Sequence, residues 1–244
     1  MGYCSRAQAT VLVGEGRVSL NGRVARNPEA PVRLEQDRIA VDGSAIEERR
    51  KVYLAMNKPR GVVTSASDEK GRRTVYDLLP PEQNWIAPVG RLDKASEGLL
   101  LLTNDSEWAA RIADPASHLD KTYHVQIDCV AEEHLLCSLT KGVRDGGEHL
   151  RARAARLLRH GQKNSWLEIV LDQGKNRQIR RLLTALGIEV LRLVRVSLGP
   201  LQLGDLRKGT VRPLTAAEKQ SLDRALRAAK WAPKNSRRMP IDVG

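Results

Sequence analysis

The pattern of apolar and polar positions divides the chain into a short N-terminal part and a longer part rich in strands. RVSLNGRV alternates apolar and polar residues around Asn21-Gly22, which predicts two strands joined by a two-residue hairpin turn. Ser5 is placed to cap a short helix that extends to about Val13. These signals predict a small unit over residues 1–46, followed by the polar linker Ile46–Lys51.

The second part of the chain has many predicted strands, few long helices and several hairpin-like connections. It opens with a strand from Val52 to Val63 that a Pro-Gly turn interrupts, and ASDEKGRR is expected to be an exposed loop. Further strands are predicted at Leu99–Thr103, Thr122–Ile127 and Trp166–Leu171, and helices at Glu107–Asp114 and Ala131–Leu139. The combination predicts an α+β fold with a mainly antiparallel sheet over residues 52–229. Residues 230–244 have no periodicity and are predicted to be a disordered basic tail.

The clearest predicted helix is Asn176–Gly187. Helical spacing puts one set of apolar residues on one face and a set of arginines on the opposite face: Ile179, Leu182, Leu183 and Leu186, against Arg177, Arg180 and Arg181. The basic end of such a helix favours an anion, but arginines on a helix are more commonly a solvated surface. Spacing alone leaves both interpretations open.

The charge of the chain changes this picture. Its 244 residues include 41 Lys and Arg against 29 Asp and Glu, a formal net charge of +12, which indicates an anionic polymer as partner. Aromatic residues make up only 3% and phenylalanine is absent, which argues against a stacking platform for unstructured single strands. A folded RNA, recognised by its shape and phosphates, suits this composition better.

Several classes of protein lack support in the sequence. No apolar run approaches the roughly 18 residues of a membrane span, and MGYCSRAQAT has no signal-peptide core, so a cytoplasmic protein without a membrane partner is predicted. The three cysteines and five histidines show no metal-ligand spacing, and no metal site is expected. Glycine patterns of P-loop and dinucleotide-binding proteins are also missing.

The candidate chemistry lies in GRLDKASEGLLLLTND, residues 90–105, where Asp93 stands between Arg91 and Lys94 directly before an apolar run. Such an aspartate commonly caps a turn by accepting backbone N–H bonds. A glycosidase would need a second carboxylate, for which Glu97 is near in sequence but unplaced in space. Spacing alone therefore leaves Asp93 open between a structural and a catalytic role.

This segment resembles the catalytic motif of pseudouridine synthases, in which the aspartate of G-R-L-D is essential. Four further segments are similar to the branch related to the small-subunit ribosomal RNA enzyme, the Rsu-type: NKPRGVVTS (57–65), KTYHV (121–125), GKNRQIRRLL (174–183) and LVRVSLGPLQLGDLRKGTVRPL (193–214). They occur in the family's order. Residues 1–46, with SRAQA and GRVSLNGRV, resemble the S4 RNA-binding domain that this family commonly carries at its N-terminus.

The resemblance implies an enzyme that isomerises a uridine of ribosomal RNA to pseudouridine without a metal or cofactor. It implies Asp93 as the essential carboxylate, Arg180 as the cation that orients it, and Tyr123 as the residue that packs against uracil. Ile179 and Leu193 become apolar walls of the uracil slot. It implies a pseudouridine synthase catalytic domain over 52–229 preceded by a small α+β S4-like domain.

The resemblance also implies a set of cations that contact RNA: Arg91, Lys94, Lys58, Arg60, Lys175, Arg177, Arg181, Arg6, Arg17 and Arg23. The expected partner is ribosomal RNA, the large-subunit RNA being preferred, and the expected state is a monomer. The alternative is a non-catalytic RNA-binding or ribosome-assembly protein with the same fold. A protein that only binds has no reason to keep Asp93, Tyr123 and Arg180 together, which favours the enzyme.

Overall fold

The computed structural model describes residues 3–33, 36–46, 50–65, 68, 70–80 and 85–231. Within them the α-helices are α1 (Arg6–Gly14), α2 (Ser106–Ala113), α3 (Glu133–Lys141), α4 (Gln178–Thr184) and α5 (Ala216–Trp231), with short 3-10 helices at Val75–Leu78 and Pro115–Ser117. The strands are β1 (Val18–Leu20), β2 (Arg23–Val24), β3 (Ile39–Val41), β4 (Ser44–Ala45), β5 (Tyr53–Lys58), β6 (Ala87–Val89), β7 (Glu97–Thr103), β8 (Lys121–Ile127), β9 (Val143–Asp145), β10 (Glu148–Leu150), β11 (Ala154–His160), β12 (Ser165–Leu171), β13 (Val190–Leu198), β14 (Leu201–Gln202) and β15 (Val211–Pro213).

The N-terminal unit combines α1 with a four-stranded antiparallel sheet in the order β2-β1-β3-β4. Ser5 caps α1, because its hydroxyl accepts the Gln8 N–H while the Gln8 side chain accepts the Ser5 N–H. Asn21 and Gly22 have φ of 53° and 80°, as a two-residue hairpin turn requires. The predicted helix and hairpin are therefore confirmed. Residues 47–49 of the predicted linker lie outside the described residues.

The second part of the chain is built on one large sheet in the order β11-β12-β8-β13-β7-β5-β15, with β14 beside β13 and β6 beside β7. All neighbours pair antiparallel except β7 and β13, which are parallel. The mainly antiparallel sheet is confirmed. Helix α5 extends to Trp231, past the predicted boundary at 229, and the predicted tail from 232 onward lies outside the described residues.

The run of four leucines forms the centre of β7, which is buried along its whole length. Leu99 and Leu101 pack in one apolar cluster with α2 and α5, and Leu100 and Leu102 pack in another on the opposite face. A strand that is buried on both faces needs continuous apolar residues instead of alternation. Its burial holds the segment that precedes it, residues 90–96, at a defined place.

The helix predicted at Asn176–Gly187 is shorter, Gln178–Thr184, because its first residues form a turn. The side chain of Gln178 is buried and closes that turn: Oε1 accepts the Lys175 N–H and Nε2 donates to the carbonyl of Arg151. Arg177 stands before the helix with a φ of 47°. The predicted apolar face is correct for the three residues within the helix, Ile179, Leu182 and Leu183, which are all buried.

The parallel pairing of β7 and β13 depends on Gly98. This residue has a φ of +101°, and an added Cβ would overlap the carbonyl oxygen of Arg195 and lie 2.7 Å from its nitrogen. Because both atoms are backbone in the centre of the sheet, they have little freedom to move. We expect Gly98→Ala to lower the free energy of unfolding by about 3 kcal/mol or more, measured by urea denaturation.

Gly209→Ala is the matched control for this substitution. Gly209 also has a positive φ, +79°, but an added Cβ there would meet nothing within 4 Å. The control should cost only the left-handed backbone penalty of about 1–2 kcal/mol. Equal losses in the two variants would contradict a steric role for Gly98.

Candidate active site

Asp93 lies in the loop between β6 and β7, with its side chain exposed to solvent. Its backbone carbonyl accepts the Ser96 N–H at 2.9 Å, which closes a tight turn over Asp93–Ser96. The N–H of Gly61 also donates to the carbonyl of Lys94 at 2.8 Å, so the loop is held from the end of β5 as well. The carboxylate therefore stands on a backbone that is tied in place on two sides.

Lys58 holds the same loop from within the protein. Its side chain is 0% exposed, and Nζ donates to the carbonyls of Pro59, Asp93 and Ser96 at 3.2, 3.0 and 2.8 Å. The prediction that Lys58 contacts RNA is wrong, because a fully buried ammonium group cannot reach a phosphate. Burial lowers the pKa of Lys58 to about 8, although Asp93 and Glu97 act in the opposite direction.

For the uridine isomerisation that the resemblance implies, we expect Lys58→Met to reduce the single-turnover rate at least tenfold at saturating RNA. Methionine fills the space, but three backbone carbonyls lose their donor and the Asp93 loop loses its anchor. Lys94→Met is the matched control, because Lys94 is exposed in the same loop. A rate for Lys58→Met equal to that of the control would contradict the anchoring role.

The buried ammonium also predicts a pH dependence of stability. Since the folded-state pKa of Lys58 is about 8 and its ordinary value is 10.5, the unfolded chain binds more protons between these pH values. The free energy of unfolding of the wild type, relative to Lys58→Met, should therefore rise from pH 8 to pH 10 by up to about 1.4 kcal/mol per pH unit. Urea denaturation of both proteins at pH 7.5 and 9.5 measures this, and a constant difference would refute it.

A cavity of about 450 Å³ opens beside Asp93. The four residues expected to act on the uridine all line it: Asp93 from the loop, Tyr123 from β8, Ile179 from α4 and Leu193 from β13. Tyr123 is half-buried, and Ile179 and Leu193 are 3% and 6% exposed. The fold thus brings together one carboxylate, one phenol and two apolar walls from four separate elements.

Arg180 lies next to the cavity and contacts the turn that carries Asp93. Its Nη2 donates to the carbonyl of Ala95 at 3.2 Å and its Nη1 to that of Val190 at 3.3 Å. Burial and the neighbouring Arg177 lower the pKa of Arg180, while the charge of Asp93 raises it. In the described part of the chain the two side chains do not form an ion pair within 4.0 Å, so Arg180 holds the backbone of the turn and acts on Asp93 through its charge.

Glu97 does not provide a second catalytic carboxylate. It is 3% exposed at the start of β7 and forms ion pairs with Arg192 and Lys208. Burial by itself would raise the pKa of Glu97, but hydrogen bonds from Arg192 and Lys208 outweigh it and lower the pKa. This carboxylate is ionised, paired and absent from the cavity lining, so Glu97 is not the second carboxylate that a glycosidase would need.

The cations predicted to contact RNA separate into groups. Arg91, Lys175 and Arg177 line the cavity, and Lys94, Arg60, Arg6 and Arg23 are exposed outside it. Arg181 forms ion pairs with Asp145 and Glu148, Arg17 forms ion pairs with Asp42 and Glu15, and Lys175 of the cavity also pairs with Glu148 at 3.6 Å. These two arginines have acidic partners within the protein, which makes them weaker candidates for phosphate contact than the sequence suggested.

Two cations that line the cavity, Lys121 and Arg195, were not singled out from the sequence. Both stand in segments that carried the family resemblance, KTYHV and LVRVSLGPL, and this was the signal that could have found them. Among the described residues there is no cluster of metal-ligating side chains, and no described helix is long and apolar enough to cross a membrane.

Comparisons with known proteins agree with this geometry. A family model described as RNA pseudouridylate synthase matches residues 52–185, and the S4 domain model matches residues 1–45. A solved structure described as a pseudouridylate synthase superposes with a TM-score of 0.65 at 30% identity, over 89% of this chain and 94% of its own. The fold and cavity thus define an RNA-modifying isomerase.

Curated relatives narrow the class to a family. The ribosomal large subunit pseudouridine synthase B of Bacillus subtilis is 39% identical over 91% of each chain. An uncharacterized RNA pseudouridine synthase of Aquifex aeolicus is 35% identical over 97% of this chain and 95% of its own. The chain belongs to the RNA pseudouridylate synthase family, in its Rsu-type branch with an N-terminal S4 domain, and is an RNA pseudouridine synthase.

Proposed function

We propose that this enzyme converts a specific uridine of ribosomal RNA to pseudouridine, with Asp93 as its essential carboxylate. The observation that carries the proposal is the cavity that Asp93 lines together with Tyr123 and two apolar residues, Ile179 and Leu193. A pyrimidine ring fits between an aromatic ring and aliphatic side chains, and an exposed carboxylate beside it can reach the ribose. The cavity lies within the 300–1,000 Å³ range of pockets that hold a small ligand.

The reaction sets physical demands that these residues meet. The target nucleotide must leave its stack, which costs a few kcal/mol, before Asp93 can reach it. The N1–C1′ bond then breaks, the uracil turns while it remains bound, and C5 bonds to C1′ as its proton is released. Tyr123 and the apolar walls hold the detached ring and exclude water, which would otherwise attack the ribose. Arg180 and Lys58 keep the Asp93 turn in position during these steps.

The large-subunit ribosomal RNA is the substrate we favour. Support comes from the Bacillus subtilis relative, whose name specifies the ribosomal large subunit, and from the net charge of +12. We assign RNA binding to the S4 unit over residues 1–46 and catalysis to residues 52–229, acting as a monomer. Exposed cations near the cavity, among them Arg91 and Arg177, are proposed to contact phosphates.

Deletion of the gene followed by mapping of pseudouridines tests this function. Carbodiimide-dependent stops of reverse transcription across ribosomal and transfer RNA should show the loss of one site, in the large-subunit RNA. Re-expression of the wild type, but not of Asp93→Asn, should restore it. If every site persists in the deletion strain, the alternative of a binding or assembly protein replaces the proposed enzyme.

A further inference from the structure

The cavity contains two cations, Lys121 and Arg195, to which the proposed chemistry assigns no role. Arg195 is 5% exposed, and its Nε donates to the carbonyl of Leu99 at 2.7 Å. Lys121 is half-buried, and its Nζ donates to the carbonyl of Leu119 at 2.9 Å. Among the described residues, neither side chain has a carboxylate within ion-pair distance.

The fold places these two cations on neighbouring strands and on the same face of the sheet. Arg195 on β13 pairs in register with Tyr123 on β8, and Lys121 lies two positions before Tyr123, on the same face of the strand. Burial lowers the pKa of Lys121 and the positive charge of Arg195 lowers it further, although the charges of Asp120 and Asp172 act in the opposite direction. Two cations that repel each other in a partly buried place, neither of them in an ion pair with a described acid, are costly unless an anion binds to both.

We propose that Lys121 and Arg195 form a phosphate subsite that binds the phosphodiester group next to the flipped uridine. This inference rests on the proposed function and adds the part of the substrate that the cavity recognises. A flipped nucleotide carries a base, whose ring faces are apolar, next to a charged phosphate. The cavity offers apolar side chains for the base and a pair of cations for the phosphate. The Arg195 guanidinium has further N–H donors beyond the Nε that binds Leu99, which suits a tetrahedral anion.

The base is the other ligand group that this pair could contact, and the geometry favours phosphate. A neutral uracil ring would satisfy a hydrogen bond but would not neutralise two charges. The walls assigned to the base, Tyr123, Ile179 and Leu193, already enclose a slot beside Asp93. Gly174 lies against the Lys121 side chain, and the loop after it adds Arg177 and Lys175 to the lining. This side of the cavity is therefore positive, although Lys175 also pairs with Glu148.

Free nucleotides test the subsite without any turnover. Dissociation constants of uridine, 5′-UMP and 3′-UMP should be measured by ligand-observed NMR on the full chain and on Lys121→Met, Arg195→Lys and Lys141→Met. Wild type should bind at least one of the two monophosphates about tenfold more tightly than uridine, as one charge-assisted hydrogen bond allows. The position of the preferred phosphate identifies which neighbouring phosphodiester is bound.

Lys121→Met should abolish the preference for the monophosphate and leave uridine binding unchanged. Arg195→Lys keeps the charge and the aliphatic part of the side chain, and should reduce the preference for the monophosphate only in part. Lys141, exposed at the end of α3, provides the matched control, and Lys141→Met should bind like the wild type.

Three outcomes would overturn the subsite: a wild type without preference for either monophosphate, a preference that survives in Lys121→Met, or an equal loss of uridine binding. The last outcome would mean that the cations contact the base or only maintain the cavity. None of these readouts depends on pseudouridine formation. A failure of the proposed function would appear in the pseudouridine maps instead, so the two failures are distinguishable.

Discussion

Asp93→Asn is expected to abolish pseudouridine formation, by about 10³-fold or more, while RNA binding stays close to wild type. Asparagine keeps the size of the side chain and removes its charge. Because the Asp93 side chain is exposed and only its backbone is bonded to Lys58 and Ser96, the turn should keep its shape. The loss should therefore fall on the chemical step alone.

Tritium release from RNA that contains 5-tritiated uridine measures this step under single-turnover conditions, and filter binding measures affinity. The matched control is Asp205→Asn, at an exposed aspartate outside the cavity, and it should retain the wild-type rate. Turnover near wild type in Asp93→Asn would refute the assignment of the essential carboxylate. A parallel loss of binding would indicate that Asp93 holds the RNA instead of reacting.

The second large effect is expected at Arg180. Arg180→Met should lower the single-turnover rate about 100-fold, with little change in RNA affinity. The guanidinium spans the turn and the sheet, since it donates to Ala95 on one side and to Val190 on the other. Its removal frees the turn that carries Asp93 and deletes a positive charge that interacts with the Asp93 carboxylate.

Arg177→Met is the control for a purely electrostatic effect. Arg177 is exposed, lines the cavity that Arg180 lies next to, and is three residues earlier in the chain. Its loss should weaken RNA binding and reduce the slope of log affinity against log salt by about 0.7, while the rate at saturating RNA is retained. The rate of Arg180→Lys should fall between those of Arg180→Met and the wild type, because lysine keeps the charge and loses the planar guanidinium group that donates to two carbonyls. If Arg180→Met and Arg177→Met both lose affinity and neither loses rate, Arg180 belongs to the RNA-contacting surface.

Much of this fold was predictable because its signals are local. The continuous apolar run of β7 indicated a buried strand, and the Asn21-Gly22 pair indicated a hairpin, since both depend on residues adjacent in the chain. The order of the motifs predicted which segments form the site. Asp93, Tyr123, Ile179 and Leu193 do line one cavity, although their chemical roles remain predictions.

The start of α4 was placed too early for a reason that periodicity does not report. Helical spacing continues back to Asn176, but the turn there is closed by the Gln178 side chain, which also reaches the carbonyl of Arg151. That second contact joins residues 27 positions apart. A short-range pattern carries no information about a bond of this kind.

The sequence by itself determined several elements, the apolar face of α4 and the family, because these follow from local spacing and from motifs in order. Only the tertiary structure decided which charged side chains are available to contact the substrate. Lys58 looks like a surface cation in the sequence, yet it is buried and binds the backbone of Asp93, 35 positions away. Glu97 forms an ion pair with Arg192, 95 positions away. The energy of a charged side chain depends on what surrounds it in space. The sheet joins distant segments, and so it decides whether a charged side chain anchors a loop, forms an ion pair or faces the substrate.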